Sequence, residues 1–238
     1  MATINVGTTA TSQLNAGASI LAAARTADTR LIKERLVAFE RAQRAYVTAQ
    51  EKVNAAEARL AAAQTQLGES DADQDDAVDA LARALVADGQ PLKNPFAAVG
   101  SLTPRQLMAQ PVAEEAKAIH QLVAAIQRAK GLSRASLQAA QAADKAAGAV
   151  EQQLAQMTKL QDAIRQARHE RDAAAQTWAA QVAALKRGAR AAADDGAPGL
   201  YAALFDRPAR TNGNGKSPKP APAAAPAPNA TPTVTSAA

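Results

Sequence analysis

From Phe39 to Leu67, apolar residues return in a strict alternation of three and four positions: Phe39, Ala42, Tyr46, Ala49, Val53, Ala56, Leu60, Ala63 and Leu67. This is the seam spacing of a coiled-coil helix, which repeats every seven residues. One column is always large and the other always alanine. A neighbouring backbone can therefore approach toward the short end of the ~8–10 Å range for packed helices. A helix with such a face requires a close neighbour, and the chain supplies a candidate. From about Ser133 to Ala193 a second apolar series runs through Leu137, Ala140, Ala147, Val150, Leu154, Met157, Leu160, Ile164, Ala174, Trp178, Val182 and Leu185. It is broken at Gln161, Arg168 and Arg171, and Gly148 weakens it by about 1 kcal/mol relative to alanine.

Composition supports thin helices over a thick core. Of the 238 residues, 47% are hydrophobic, but 67 are alanine, and only three Phe, two Tyr and one Trp are present. A buried alanine contributes far less than the roughly 1.5–3 kcal/mol of a buried Leu, Ile or Phe. Alanine is also the strongest helix former, while strand-favouring aromatics are scarce. The expected class is all-α: a long antiparallel helical hairpin (coiled coil) with a small helical head and a disordered C-terminal tail.

The segments follow from the punctuation. Residues 1–10 read as a flexible N-terminus and 11–68 as one long helix that ends at Gly68. Residues 69–132 read as a helical head of short helices, 133–193 as the return helix, and 194–238 as a Pro/Ala-rich disordered tail. At 1.5 Å per residue the two long helices span about 87 and about 92 Å, a match that suits a hairpin. Paired head to tail, Phe39 would lie near Asp162, and Trp178 near Ala22–Ala24. In the head, Ser70 is placed to cap an acidic first turn, and Thr103-Pro104-Arg105-Gln106 is a capping box with proline at N1. Pro111 kinks or restarts that helix, and Ser133 reads as the N-cap of the return helix. Beyond Pro198, Leu200, Tyr201, Leu204 and Phe205 form an apolar patch. It reads as a short helix docking on its own protein or as a motif for a partner.

The chemistry-bearing motifs are incomplete. His169-Glu170 opens like a zinc-protease signature, but Ala173 stands where its second histidine would be. Lys117 and Gln166 occupy the positions three before His120 and His169, where di-iron bundles carry glutamate. A surface or interhelix hydrogen-bonding role is expected for the two histidines. Asp71, Asp73 and Asp75 have the alternate spacing of a calcium loop without its glycine or its closing glutamate. Gly215-Lys216-Ser217 lacks the first glycine of a phosphate loop and runs into Pro218. With no cysteine, thiolate chemistry is excluded. No catalytic residue, metal ligand or cofactor is expected, and the chain reads as nonenzymatic.

The net charge of +5 is unevenly spread. Residues 69–79 hold six acids and no base, whereas 133–193 hold nine bases and five acids. The basic end offers Lys186, Arg187, Arg190, Arg207, Arg210, Lys216 and Lys219 as candidate phosphate-binding residues. Aromatic interleaving and helix-turn-helix spacing are absent, so any nucleic-acid association would be nonspecific and salt-sensitive. Residues 1–24 carry no Lys or Arg, and no run of ~18 apolar residues occurs, which predicts neither a secretory signal nor a transmembrane helix. Cytoplasm is the expected location.

The main functional expectation is a nonenzymatic scaffolding or partner-binding coiled coil. It would form a homodimer with a four-helix bundle and bind an unidentified protein partner. Nonspecific nucleic-acid association through the basic end is the alternative, and an amphipathic coat of a membrane or granule surface the third. As a type the chain resembles alanine-rich bacterial coiled coils; no stretch carries a motif that names a family.

Overall fold

A computed structural model describes residues 2–3, 7–99 and 102–207 of the chain. The protein is all-α, apart from a two-residue antiparallel ladder joining β1 (Ala2–Thr3) to β2 (Asp206–Arg207). Helix α1 (Ala10–Ala24) is followed by a 3-10 turn at Arg30–Ile32 and by the long helix α2 (Lys33–Ala87). Two shorter helices, α3 (Pro104–Leu107) and α4 (Val112–Arg128), lead to the second long helix, α5 (Arg134–Ala191), and then to α6 (Leu200–Phe205).

The long helices contact one another in reverse order. Lys52 meets Glu170, Glu57 meets Arg168, Gln43 meets Trp178, and Arg35 reaches the carbonyl of Ala184. They therefore run antiparallel. At the turn, the Asp88 carboxylate accepts from Ser133 N at 2.9 Å and Ser136 Oγ at 2.6 Å, joining the end of α2 to the first turn of α5.

Two boundaries differ from the sequence expectation. The expected helix 11–68 breaks between Arg25 and Ile32, where Thr26 Oγ1 donates to Ala23 O and Asp28 Oδ1 accepts from Arg30 N. Such local side-chain bonds compete with helix continuation. The chain therefore reverses, and α1 lies along the start of α2. At the other end α2 passes straight through Gly68, which is exposed, and continues to Ala87. One glycine costs about 1 kcal/mol in a helix, too little to end one that is packed on both sides of it. The stop falls at Gly89 (φ +89°), with Gly89 N donating to Val86 O and Gln90 N to Leu85 O, the paired bonds of a Schellman motif. Ser70 is thus helix interior, not a cap, and the acidic stretch 69–79 belongs to α2. This longer α2 also shifts the register: Phe39, expected near Asp162, packs against Trp178, as does Tyr46, and Ala23 and Ala24 belong to the same apolar cluster.

Other punctuation holds. Thr103 and Gln106 form both halves of the capping box with Pro104 at N1, and the Ser133 side chain accepts from Ser136 N. At the N-terminus, expected to be flexible, Ala2–Thr3 pair in the ladder, and Thr9 caps α1. Residues 200–205, placed by sequence in the disordered tail, are helical with Leu200, Leu204 and Phe205 buried. The remainder of that tail, residues 208–238, lies outside the described residues.

Most of the buried apolar residues form two clusters, one at each end of the long helix pair. The base gathers α1, the start of α2, the end of α5 and α6 around Ile20, Phe39, Tyr46, Trp178, Leu185, Leu204 and Phe205. The head gathers the end of α2, α3, α4 and the start of α5 around Val78, Leu81, Phe96, Leu107, Ile119 and Ile126.

Candidate functional site

The base is built around one buried amide. Gln43 accepts from Trp178 Nε1 at 2.6 Å and donates from Nε2 to Leu14 O at 3.1 Å, so one side chain ties α1, α2 and α5 together. Gly17 makes this fit possible, since a Cβ there would overlap the Gln43 amide. Tyr46 OH donates to Gln13 Oε1 at 2.8 Å, and burial raises its pKa.

The cations proposed from sequence as phosphate ligands are partly engaged here. Lys186 Nζ sits 5.5 Å from the Phe205 ring centroid. The Arg190 guanidinium sits 4.7 Å from that of Tyr201 and donates to its hydroxyl at 3.2 Å. Cations held over aromatic faces serve the packing of α6 on α5. Arg187 is exposed, and Arg207 lies in β2. Arg210, Lys216 and Lys219 lie outside the described residues. Of the apolar patch, Leu200, Leu204 and Phe205 are buried in the base and Tyr201 is half-buried, as a helix docked on its own protein requires.

Between base and head, α2 and α5 are the only helices among the described residues. Ala56, Ala63, Ile164 and Ala167 are buried along this waist, but Leu60, Met157 and Leu160 remain half-buried and belong to neither cluster. The ion pairs Lys52–Glu170 (2.9 Å) and Arg168–Glu57 (2.7 Å) bridge the helices at its edge. Hydrogen bonds from Lys52 and then Gln166, with the Lys52 charge added, hold the Glu170 carboxyl below its usual pKa.

The head contains a buried polar group of a different kind. Gln74 of α2 is fully buried and Glu115 of α4 is 2% exposed, and half-buried Asp75 lies beside them. Both polar atoms of the Gln74 amide, Glu115 Oε1 and Asp75 Oδ1 make no hydrogen bond of full geometry, although Gln74 and Asp75 both lie near enough to the Glu115 carboxyl to act on it as looser hydrogen-bonding neighbours. Burial first, and then the negative charge of Asp75, push the Glu115 pKa up to about 7. Asp75 is raised too, by burial and by Asp71 one turn away. Nearby, His120 Nδ1 lies 2.6 Å from Asp144 Oδ1 of α5, and Nε2 lies 3.7 Å from Glu151 Oε2, an interhelix role for this histidine.

Sequence reasoning did not single out Gln74, Glu115, Gln43 or Asp88. For the first two a signal exists. The large heptad column Phe39, Tyr46, Val53, Leu60 and Leu67 continues in steps of seven to Gln74 and Leu81. Placing a helix stop at Gly68 hid that continuation. Glu115 likewise opens the stripe Ile119, Leu122 and Ile126. The alternate Asp71, Asp73 and Asp75 prove to be helical, which sets Asp73 away from the face shared by Asp71 and Asp75. Among the described residues no group of three or more His, Asp or Glu is arranged to hold a metal ion, and no helix is long and apolar enough to cross a membrane. Comparisons with protein families, characterised proteins and solved structures find no match to this chain.

Proposed function

We propose that this protein is a nonenzymatic helical scaffold of the cytoplasm that works as a homodimer, with the waist seam acting as a coiled coil covered by a second copy. The half-buried Leu60, Met157 and Leu160 carry this reading, because they lie between the two closed clusters on a part that is two helices thick among the described residues. A second copy presents the same stripe, and an isologous contact lets each chain cover the other's seam. Four helices then surround the alanines that two helices leave thinly packed. Base and head stand apart on either side, available to other proteins.

The nucleic-acid reading draws less support, since Lys186 and Arg190 lie on the rings of α6. Sedimentation of the full chain over a concentration series tests the proposal. The parent is expected as a dimer, while Leu60→Glu and Met157→Glu are expected as monomers with unchanged helicity by circular dichroism. A parent that remains monomeric at about 100 μM, a concentration well above a micromolar Kd, refutes self-association. A stoichiometric cofactor or metal in the purified chain overturns the nonenzymatic assignment.

A further inference from the structure

Glu115 of α4, which packs chiefly along α5, also faces Gln74 and Asp75 of α2, and the three side chains bury polar atoms there without well-formed hydrogen bonds. Leaving buried polar atoms without hydrogen bonds costs roughly 1–3 kcal/mol for each group, and two ionised carboxylates side by side cost more. The charged groups acting on Glu115 are Asp75 and Asp71, both anionic. On α2, Asp76 and Asp79 add further negative charge at Asp75. On α4, Glu114 is paired with Lys117. On α5, Asp144 and Glu151 face His120 of α4, while Lys145 lines a groove with Ser70, Asp73 and Ala77. The cluster is therefore an excess of negative charge closed into an apolar contact. A proton relieves it without needing the space and ligands of a hydrated metal ion.

We propose that Gln74, Asp75 and Glu115 form a proton-operated latch: with one proton held between the two carboxyls α4 is held to α2 as well as to α5, and with both ionised its contact with α2 is released. Opening loosens the α4 stripe Ala116, Ile119, Leu122, Val123 and Ile126, which in the closed head shares one cluster with Val78, Leu81 and Leu85 of α2. The direction follows from linkage. A carboxyl whose folded pKa is raised favours the folded state fully below its ordinary value of 4.5, and that advantage is lost as the pH rises through about 7. The latch is thus closed in mild acid and open in mild base.

Hydrogen exchange of the full-length protein, corrected for intrinsic rates, tests this between about pH 5 and about pH 8. The opening equilibrium of the Val112–Arg128 amides is expected to rise on the order of 100-fold across that range, with α1 and α6 unchanged. Glu115→Gln keeps the shape of the protonated acid and is expected to make α4 protection independent of pH. Asp75→Asn removes the neighbouring anion, so the pH response is expected to shrink and its midpoint to move down. If Glu115→Gln does not fold, the parent and Asp75→Asn titrations decide alone. A parent without pH dependence, or a folded Glu115→Gln that keeps the full response, overturns the latch. So does calcium or magnesium at about 1 mM restoring parental protection at the higher pH, which would assign the cluster to a cation.

Discussion

Base and head each bury a glutamine, and the two are used in opposite ways. Gln43 has both ends bonded, one to the Trp178 indole and one to a carbonyl of α1, and a glycine stands opposite to admit it. Gln74 is buried more completely and has no well-formed bond at either end, only a loose approach to the Glu115 carboxyl, with Asp75 beside it. A satisfied buried amide selects one arrangement of the helices around it, whereas an unsatisfied one lowers the cost of leaving the closed state. The contrast points to a base made to hold a single geometry and a head made to exchange between two.

The comparison can be broken most decisively at its largest side chain. Trp178→Ala is expected to destabilise the base by about 3–5 kcal/mol, the range for removing a buried aromatic, while α4 exchange stays at the parental level. Equal loss in head and base would show that the clusters are not separate units. Gln43→Leu leaves the indole N–H and the Leu14 carbonyl unpaired. Thermal unfolding should report a loss of roughly 1–3 kcal/mol. The same change in the head has the opposite sign: Gln74→Leu replaces an amide without a well-formed bond by an apolar side chain of similar size and is expected to stabilise by on the order of 1–2 kcal/mol. Destabilisation by Gln74→Leu would mean that the amide holds a partner in solution. The smallest effect belongs to Asp88→Ala, which removes the acceptor for Ser133 and Ser136. Faster exchange confined to the first turn of α5 is expected, with the midpoint of base unfolding unmoved.

The parts of this fold that are legible in the sequence are those decided by local spacing. The alternation from Phe39 to Leu67 announces a helix that packs along one face. The capping residues Thr103 and Ser133 name their helices because the bonds they make lie within three residues. What stayed hidden depends on competition between distant contacts. Gly68 looks like a stop, yet the packing of Val78, Leu81 and Leu85 beyond it carries the helix on. The reversal after Ala24 follows from a few side-chain bonds around Thr26 and Asp28, and no apolar periodicity records it. The burial of Gln74 and Glu115 was encoded as polar letters at apolar positions of two stripes. It became readable only once the helix boundaries were known. The basic end taught a similar lesson, because the charge of Lys186 and Arg190 is visible in the sequence while the rings beneath them are not.

Both α2 and α5 run unbroken from base to head, and this continuity makes the molecule a lever. With α2 about 83 Å long, a bend of about 5° at the waist swings an arm of about 40 Å through roughly 3.5 Å at its tip. Small changes in how two alanine-lined helices nest at Ala56, Ala63 and Ala167 would thus be magnified at the far ends. A second chain bound along the waist would splint it, and the distance between the two ends would then depend on protein concentration.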